Sequence, residues 1–373
     1  MSGAKPYLVL ILSNTYGGVL TYTKNLIKKM PDDQFNILPF FIAPSIEFQK
    51  NDFKQKNYFL TLRNFIPNPM ALFRFFNSDA KLIHSNFAGI GFLAVISKFL
   101  FKIPFILTLH GFPEPRSTSK LFDKIKYSME KKLMSFVGSY ASALVVVSRF
   151  EKDLLLSNFG LNSEVIYHGI DLSLIKNFNK NWAKKEIGCK ETDFVVLFVG
   201  KLIPNKSPLT LVESINYIKA KYSDVKLLIV GTGMLKEKIQ FKVKELGLEN
   251  HVNFFGYIEK EDLNKCFSAA DLFVLPSINE PFGIVLLEAM AFGCPIIASN
   301  SGACPEVIGD SGLLFKQGDS KDLEKKILKV MVDLKLRQQM CKNGLKRVAK
   351  VFSNEEHIRK HIELYKNVLQ TKD

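Results

Sequence analysis

Two carboxylates, Glu280 and Glu288, are set into NEPFGIVLLEAMAFGCPIIAS (279–299), a stretch that otherwise reads as core. Between Pro281 and Glu288 every residue is apolar or glycine, and Ala-Met-Ala-Phe follows. A buried carboxylate is costly unless it accepts hydrogen bonds. Either the two glutamates are structural acceptors, or they face a ligand rich in donors. Pro281 suits a helix start and Gly283 allows close backbone approach, so a helix is expected to begin near 282–284. Glu280 then lies in the loop before it and Glu288 about one turn inside. The free amides of Gly283, Ile284 and Val285 point out of the helix N-terminus, a ready anion site. Acceptor, donors, acceptor is the complement of a hydroxyl-rich ring, a diphosphate and a ribose diol, the parts of a nucleotide sugar. The plainer alternative is that Glu280 caps the helix and Glu288 bonds nearby backbone.

Other residues could serve the same ligand. VGKLIPNKSP (199–208) places Lys201 and Lys206 after a strand, where two cations can neutralise a diphosphate leaving group; elsewhere they would be solvated loop lysines. TLHGF (108–112) puts His110 at the carboxyl end of a buried strand. A satisfied core histidine is the commoner fate, but the strand end favours a site, with His110 hydrogen-bonding a hydroxyl. In VGTGMLKEKI (230–239) the third position of a G-x-G-x-x-G fingerprint is Lys236, which weakens a nicotinamide reading. Gly231 remains a donor-binding position at its strand end. No D-x-D occurs, so no metal site and no cofactor are expected, the nucleotide sugar being a co-substrate.

The elements that must hold these residues repeat. KPYLVLILS (5–13), NTYGGV (14–19) and a helical pattern form strand, glycine loop and helix; DFVVLFVG (193–200), KLIPNKSP and TLVESINYIKAKY do so again. Each opens a doubly wound α/β unit. Further apolar runs, at 35–42, 81–86, 104–111, 143–148 and 163–169, then 225–231, 252–258, 271–277, 295–299 and 312–315, alternate with helical patterns. Parallel sheets in two Rossmann-like domains are expected. The polar, patternless stretch 171–182 reads as a hinge, and SNEEHIRKHIELYKNVLQ (353–370) as a final helix with a stripe of Ile358, Ile362, Tyr365 and Leu369.

Composition narrows the partners. The five cysteines are an odd number without a C-x-x-C pair, as scattered buried thiols would be. No apolar run spans a bilayer and the first residues lack a secretory pattern, so a cytoplasmic location is expected. Of the net charge of +15, residues 1–185 carry +12, with 24 Lys and Arg against 12 Asp and Glu. That asymmetry suggests an anionic partner (an acidic membrane surface, a phosphorylated substrate or nucleic acid) or simply a lysine-rich composition. In SKLFDKIKYSMEKKLMSFVGSY (119–140), Leu121, Ile125, Met129, Leu133, Phe136 or Val137, and Tyr140 make one helical stripe with lysines around it. It suits an anionic membrane surface, or an ordinary packed helix with a basic back.

E-P-F-G-I-V-L-L-E resembles the Glu-x7-Glu motif of the group 1, family 4 type, retaining glycosyltransferases of the GT-B fold, with DLFVLPS before it and EAMAFGCPIIASNSGACPEVIGDSGLLF after it. The resemblance implies two Rossmann-like domains facing a central cleft. The expected boundaries are 1–170, with helix 354–373 returning to it, for the acceptor, and 171–353 for the donor. It implies that Glu280 contacts the donor sugar, that the backbone of Phe282, Gly283, Ile284 and Val285 holds sugar and phosphate, and that Glu288 takes the ribose. VGKLIPNKSP resembles a V-G-R-x(4)-K-G clamp, with Lys201 in place of Arg and Ser207 in place of Gly. Lys201 keeps the charge but loses the bidentate fork. Gly17 and Gly18 match a first-domain glycine loop, His110 a histidine near the donor sugar, and Tyr257 and Ile258 a segment whose backbone meets the base. IYHGID (166–171) resembles an N-G-V-D stretch, with His168 in place of Asn. The expected activity is metal-independent transfer from a UDP- or GDP-type sugar to a glycan or lipid-linked acceptor in surface polysaccharide synthesis. No nucleic acid is expected, and the inner face of the membrane is a candidate for peripheral attachment. The alternatives are a GT-B epimerase or hydrolase using the same donor pocket, or a non-catalytic glycan-assembly partner.

Overall fold

The computed structural model describes residues 7–14, 17–42, 58–60, 75–112 and 121–371. They form two compact units, 1–169 with 354–373, and 170–353.

In the first unit, β1 (Tyr7–Asn14), β2 (Phe35–Ile42), β3 (Tyr58–Leu60), β4 (Leu82–Ser85), β5 (Phe105–Leu109), β6 (Ala143–Val146) and β7 (Glu164–Val165) form one sheet in the order β3-β2-β1-β4-β5-β6-β7. All its pairings are parallel. The strands are continuous apolar runs because helices cover both faces. One face packs Leu10, Leu12, Ile83, Phe105 and Leu107 against α2 (Ala88–Phe101) and α3 (Leu121–Tyr140). The other packs Val9, Ile11, Leu82 and Ile106 against Tyr22 and Leu26 of α1 (Gly17–Lys29) and the last helix, Asn354–Gln370. That last helix buries Ile358, Leu364, Tyr365 and Val368; Ile362 and Leu369, expected in its stripe, are only partly buried.

The second unit repeats the plan. Its strands are β8 (Phe194–Val199), β9 (Val225–Val230), β10 (Val252–Gly256), β11 (Leu272–Leu275), β12 (Ile296–Ser299) and β13 (Gly312–Phe315). They run parallel in the order β10-β9-β8-β11-β12-β13. In both sheets the order reverses beside the unit's first strand: β8 and β11 are hydrogen-bonded neighbours whose onward connections leave in opposite directions. Such switch points open a crevice at the carboxyl ends of the strands.

Two sequence expectations change. The stretch 171–182 is not patternless: Leu172–Leu174 form a 3-10 turn capped by Asp171, and Asn179 caps the short helix Lys180–Glu186 by accepting from the Trp182 amide. On α3 the expected stripe splits. Met134 and Val137 are buried, while Ile125, Met129, Phe136 and Tyr140 are exposed. The Leu121 side chain lies outside the described residues.

Candidate active site

Glu280 and Lys206 lie on the loops that follow β11 and β8, one to each side of the second unit's switch point. After β8 the chain makes a 3-10 turn, Pro204–Lys206, and enters α4 (Pro208–Lys219). Between them Ser207 takes the left-handed conformation with φ 47°, and its hydroxyl lies 2.9 Å from that of Thr210. This is the position where glycine would be at ease. The turn aims the Lys206 ammonium at Glu280, which accepts from it at 2.5 Å. Glu280 is buried and Lys206 keeps partial exposure. The ion pair explains how the buried carboxylate is tolerated.

The backbone around Glu280 is fixed from several sides. The Asn279 amide donates to the Ser301 hydroxyl at 2.9 Å, and the Ile278 amide to the Asn205 carbonyl at 2.6 Å. The Glu280 carbonyl accepts from the Ala303 amide at 2.8 Å. Gly302, at φ 61°, lies so close that a Cβ there would meet the nitrogen and oxygen of Glu280 at 2.4 Å. The helix after this loop, α5 (Ile284–Ala291), has Gly283 as its N-cap, with φ 85°. The carbonyl of Gly283 accepts from the Leu286 amide at 2.8 Å, and Ile284 and Val285 are partly exposed in the first turn. Glu288 sits on the second turn of this helix. Its side chain keeps some exposure, yet burial pushes its carboxyl up to about 7, and Lys260 offsets only part of that. A carboxylate placed there without a bonded partner suits a ligand that brings its own donors.

The remaining candidates in this unit line the same strand ends. Lys201 is exposed just after β8. Gly231 follows β9 at φ 134°, and a Cβ there would lie 2.0 Å from the Gly200 carbonyl oxygen, so only glycine lets the two loops close. Tyr257 is 77% exposed after β10, with Ile258 partly buried beside it. Phe282 is expected to act through its backbone. Its ring is buried and packs edge-on against Phe352, 5.8 Å between centroids, so only its backbone can face a ligand.

In the first unit, Gly17 and Gly18 are not in a loop; they are the first two residues of α1. His110 follows β5, and its ring lies 4.6 Å from that of Tyr22, between centroids. Among the described residues, neither ring nitrogen has a hydrogen-bond partner. Sequence reasoning missed the surroundings. The rings of His84, His168, His357 and His361 also gather around Tyr22. The Tyr22 hydroxyl is 2.6 Å from His361 Nε2, and His84 bridges the Tyr365 hydroxyl at 2.6 Å and the Thr108 hydroxyl at 2.7 Å. Burial lowers the imidazoles of His84 and His110 to about 3 and that of His357 to about 4, and moves His168 and His361 well below the usual range. The signal available in the sequence was the placement of His357 and His361 one turn apart on the core side of the last helix, beside Ile358 and Tyr365.

A doubly wound second unit with an acid–cation pair at its switch point, followed by a helix N-terminus and a second acid, defines a nucleotide-type transferase architecture. Residues 179–347 match the family "Glycosyl transferases group 1", and residues 16–174 match "Glycosyltransferase Family 4". The chain belongs to the group 1, family 4 type, glycosyltransferases of the GT-B fold, and is an enzyme of the hexosyltransferase class. An uncharacterized glycosyltransferase of Methanocaldococcus jannaschii is 28% identical over 353 residues, 91% of this chain and 92% of that protein. The UDP-Gal:alpha-D-GlcNAc-diphosphoundecaprenol alpha-1,3-galactosyltransferase of Escherichia coli is 27% identical over 302 residues, 78% of this chain and 76% of that one. Among solved structures, HepE of Anabaena in complex with UDP and glucose superposes with a TM-score of 0.81 at 20% identity, covering 96% of this chain and 99% of that one.

Proposed function

We propose that the chain is a retaining glycosyltransferase that moves a hexose from a UDP- or GDP-type donor to a glycan or lipid-linked acceptor, in surface polysaccharide synthesis and at the inner face of the membrane. The observation that carries this reading is the Lys206–Glu280 pair at the β8/β11 switch point, directly before the N-terminus of α5. In the free protein the two charges compensate each other. A donor would enter with its diphosphate drawing on Lys206, Lys201 and the first amides of α5, its sugar hydroxyls on Glu280, and its ribose on Glu288. During transfer the bond from the anomeric carbon to the diphosphate oxygen breaks and the acceptor oxygen bonds to the same carbon. The acceptor proton is released. Cations aimed at the departing diphosphate stabilise charge where it develops. In this reading the lysines do so without a metal. His110, with both ring nitrogens unpartnered, is assigned to a sugar hydroxyl, and the amides at Gly17 and Gly18 to the phosphate side. The backbone at Gly231, Tyr257 and Ile258 is assigned to the nucleoside. The lipid-linked acceptor is supported by the E. coli relative, which is named for transfer to a diphosphoundecaprenol-linked sugar.

A panel of UDP-, GDP-, ADP- and CMP-sugars tests the reading by thermal shift, since a ligand bound only by the folded state raises its melting point. One nucleotide class should stand out, and its sugar should be transferred to crude membrane lipid with the anomeric configuration kept. Equal responses to all four, or hydrolysis unaffected by lipid, would contradict it.

A further inference from the structure

Large apolar side chains are exposed on one patch of the first unit. On α2, Phe92, Phe99 and Leu100 are 47%, 56% and 67% exposed; on α3, Ile125, Met129 and Phe136 are 49%, 65% and 45% exposed. The patch is continuous. Tyr140 lies 5.2 Å from Phe99 and 5.1 Å from Phe136, between ring centroids, so the three rings form one edge-to-face cluster across the two helices. Residues 125, 129, 136 and 140 recur at helical spacing and share a face. The opposite side of α3 fills the core with Met134 and Val137. The helices are locked side by side: a Cβ at Gly91 would lie 2.6 Å from Val137, and Lys98 donates to the Tyr140 carbonyl at 2.8 Å. The ridge is therefore a rigid feature of the fold.

Its charge says what covers it. The segments 88–102 and 121–140 hold six lysines against two carboxylates, a net of +4. Lys102, Lys124 and Lys132 are exposed. An apolar ridge rimmed by a net positive charge is repelled by a second copy of itself. It is matched by a surface with anionic heads over an apolar interior.

We propose that the α2–α3 face of the first unit docks on an anionic lipid bilayer, with Phe99, Phe136 and Met129 entering the headgroup boundary and Lys102, Lys124 and Lys132 meeting lipid phosphates. This rests on the membrane location proposed above and names the face that carries it, independently of the donor pocket. It gives a lipid-linked acceptor the place where it is met.

The test is co-sedimentation of the full chain with phosphatidylglycerol-rich vesicles and with pure phosphatidylcholine vesicles. Wild type should pellet with the first and be released by high salt. Lys102→Gln/Lys124→Gln/Lys132→Gln should weaken binding by about a hundredfold, from roughly fivefold per lysine near an acidic surface. Phe99→Ser/Met129→Ser/Phe136→Ser should abolish binding at low salt while leaving the nucleotide-sugar thermal shift unchanged; the lost ring contacts with Tyr140 should lower the melting point only modestly, because these side chains are about half exposed or more. Vesicle binding equal in wild type and both variants would overturn the proposal. So would wild-type self-association in analytical ultracentrifugation, without vesicles, that the serine variant loses, since the ridge would then be a protein interface. Neither result touches the donor reading, which the thermal shift reports separately.

Discussion

Acidification should unfold the first unit before the second. Five of the six histidines gather around Tyr22 in the first unit, and only His251 lies in the second. Burial holds the folded imidazoles neutral, with His84 and His110 titrating at about 3 and His357 at about 4. In the unfolded chain each titrates near 6.5. Below that value the unfolded chain binds more protons than the folded one, so stability falls as the pH drops. Lowering the pH from about 7.5 to about 5.5 costs roughly 1 kcal/mol for each histidine that stays neutral, and on the order of 5 kcal/mol for all five. That is a large part of the ~5–15 kcal/mol that stabilises an ordinary domain. Tyr22, Tyr365 and Thr108 face the cluster and supply no negative charge to relieve it, burial having raised the tyrosines further. Hydrogen exchange read by mass spectrometry separates the units. Peptides from β4, β5 and the last helix should lose protection steeply between those pH values, after correction for intrinsic rates, while those from β8, β11 and β12 change little. His357→Gln removes one titrating group, so its stability relative to wild type should improve on acidification. Equal loss of protection in both units, or a His357→Gln difference independent of pH, would refute the reasoning.

Lys206→Ala should lower turnover about tenfold or more and also the melting point, because it strands a buried carboxylate; Lys206→Met/Glu280→Gln should recover the melting point but not turnover, as calorimetry and a transfer assay would show. Ser207→Gly should raise stability by about 1 kcal/mol in chemical denaturation, since a non-glycine residue at φ 47° costs roughly that much, reduced by the lost Thr210 hydroxyl contact. Because Glu288 ionises only at about 7, nucleoside diphosphate affinity should rise as the pH passes upward through that value, and Glu288→Gln should flatten this part of the profile in isothermal titration.

Where the sequence was legible, one segment carried its own evidence. Strands such as 194–199 and 272–275 read as uninterrupted apolar runs because they are covered on both faces. Pro281 and Gly283 were enough to put the helix start near 282–284, and the helix begins at Ile284. Contacts between distant segments were not legible. Lys206 and Glu280 are 74 residues apart, and they meet only because β8 and β11 are neighbours in a sheet whose order departs from that of the chain. The histidine cluster draws on separate segments, within β4, after β5, before the second unit and from the last helix, and only His110 carried a positional signal. Periodicity on α3 marked an apolar stripe, yet Met134 and Val137 fill the core and the stripe faces out, because the pattern gives a face and not its direction.

The distinct roles of Glu280 and Glu288 are tested most directly by isothermal titration of Glu280→Gln and Glu288→Gln with the nucleoside diphosphate that the thermal-shift panel selects. Glu288→Gln should weaken binding by ~1–3 kcal/mol, the cost of replacing a charged acceptor by an amide. Glu280→Gln should leave that affinity nearly unchanged while cutting transfer of the intact donor. Equal losses in both variants, or unchanged affinities with both melting earlier, would show that the two carboxylates only hold the fold together.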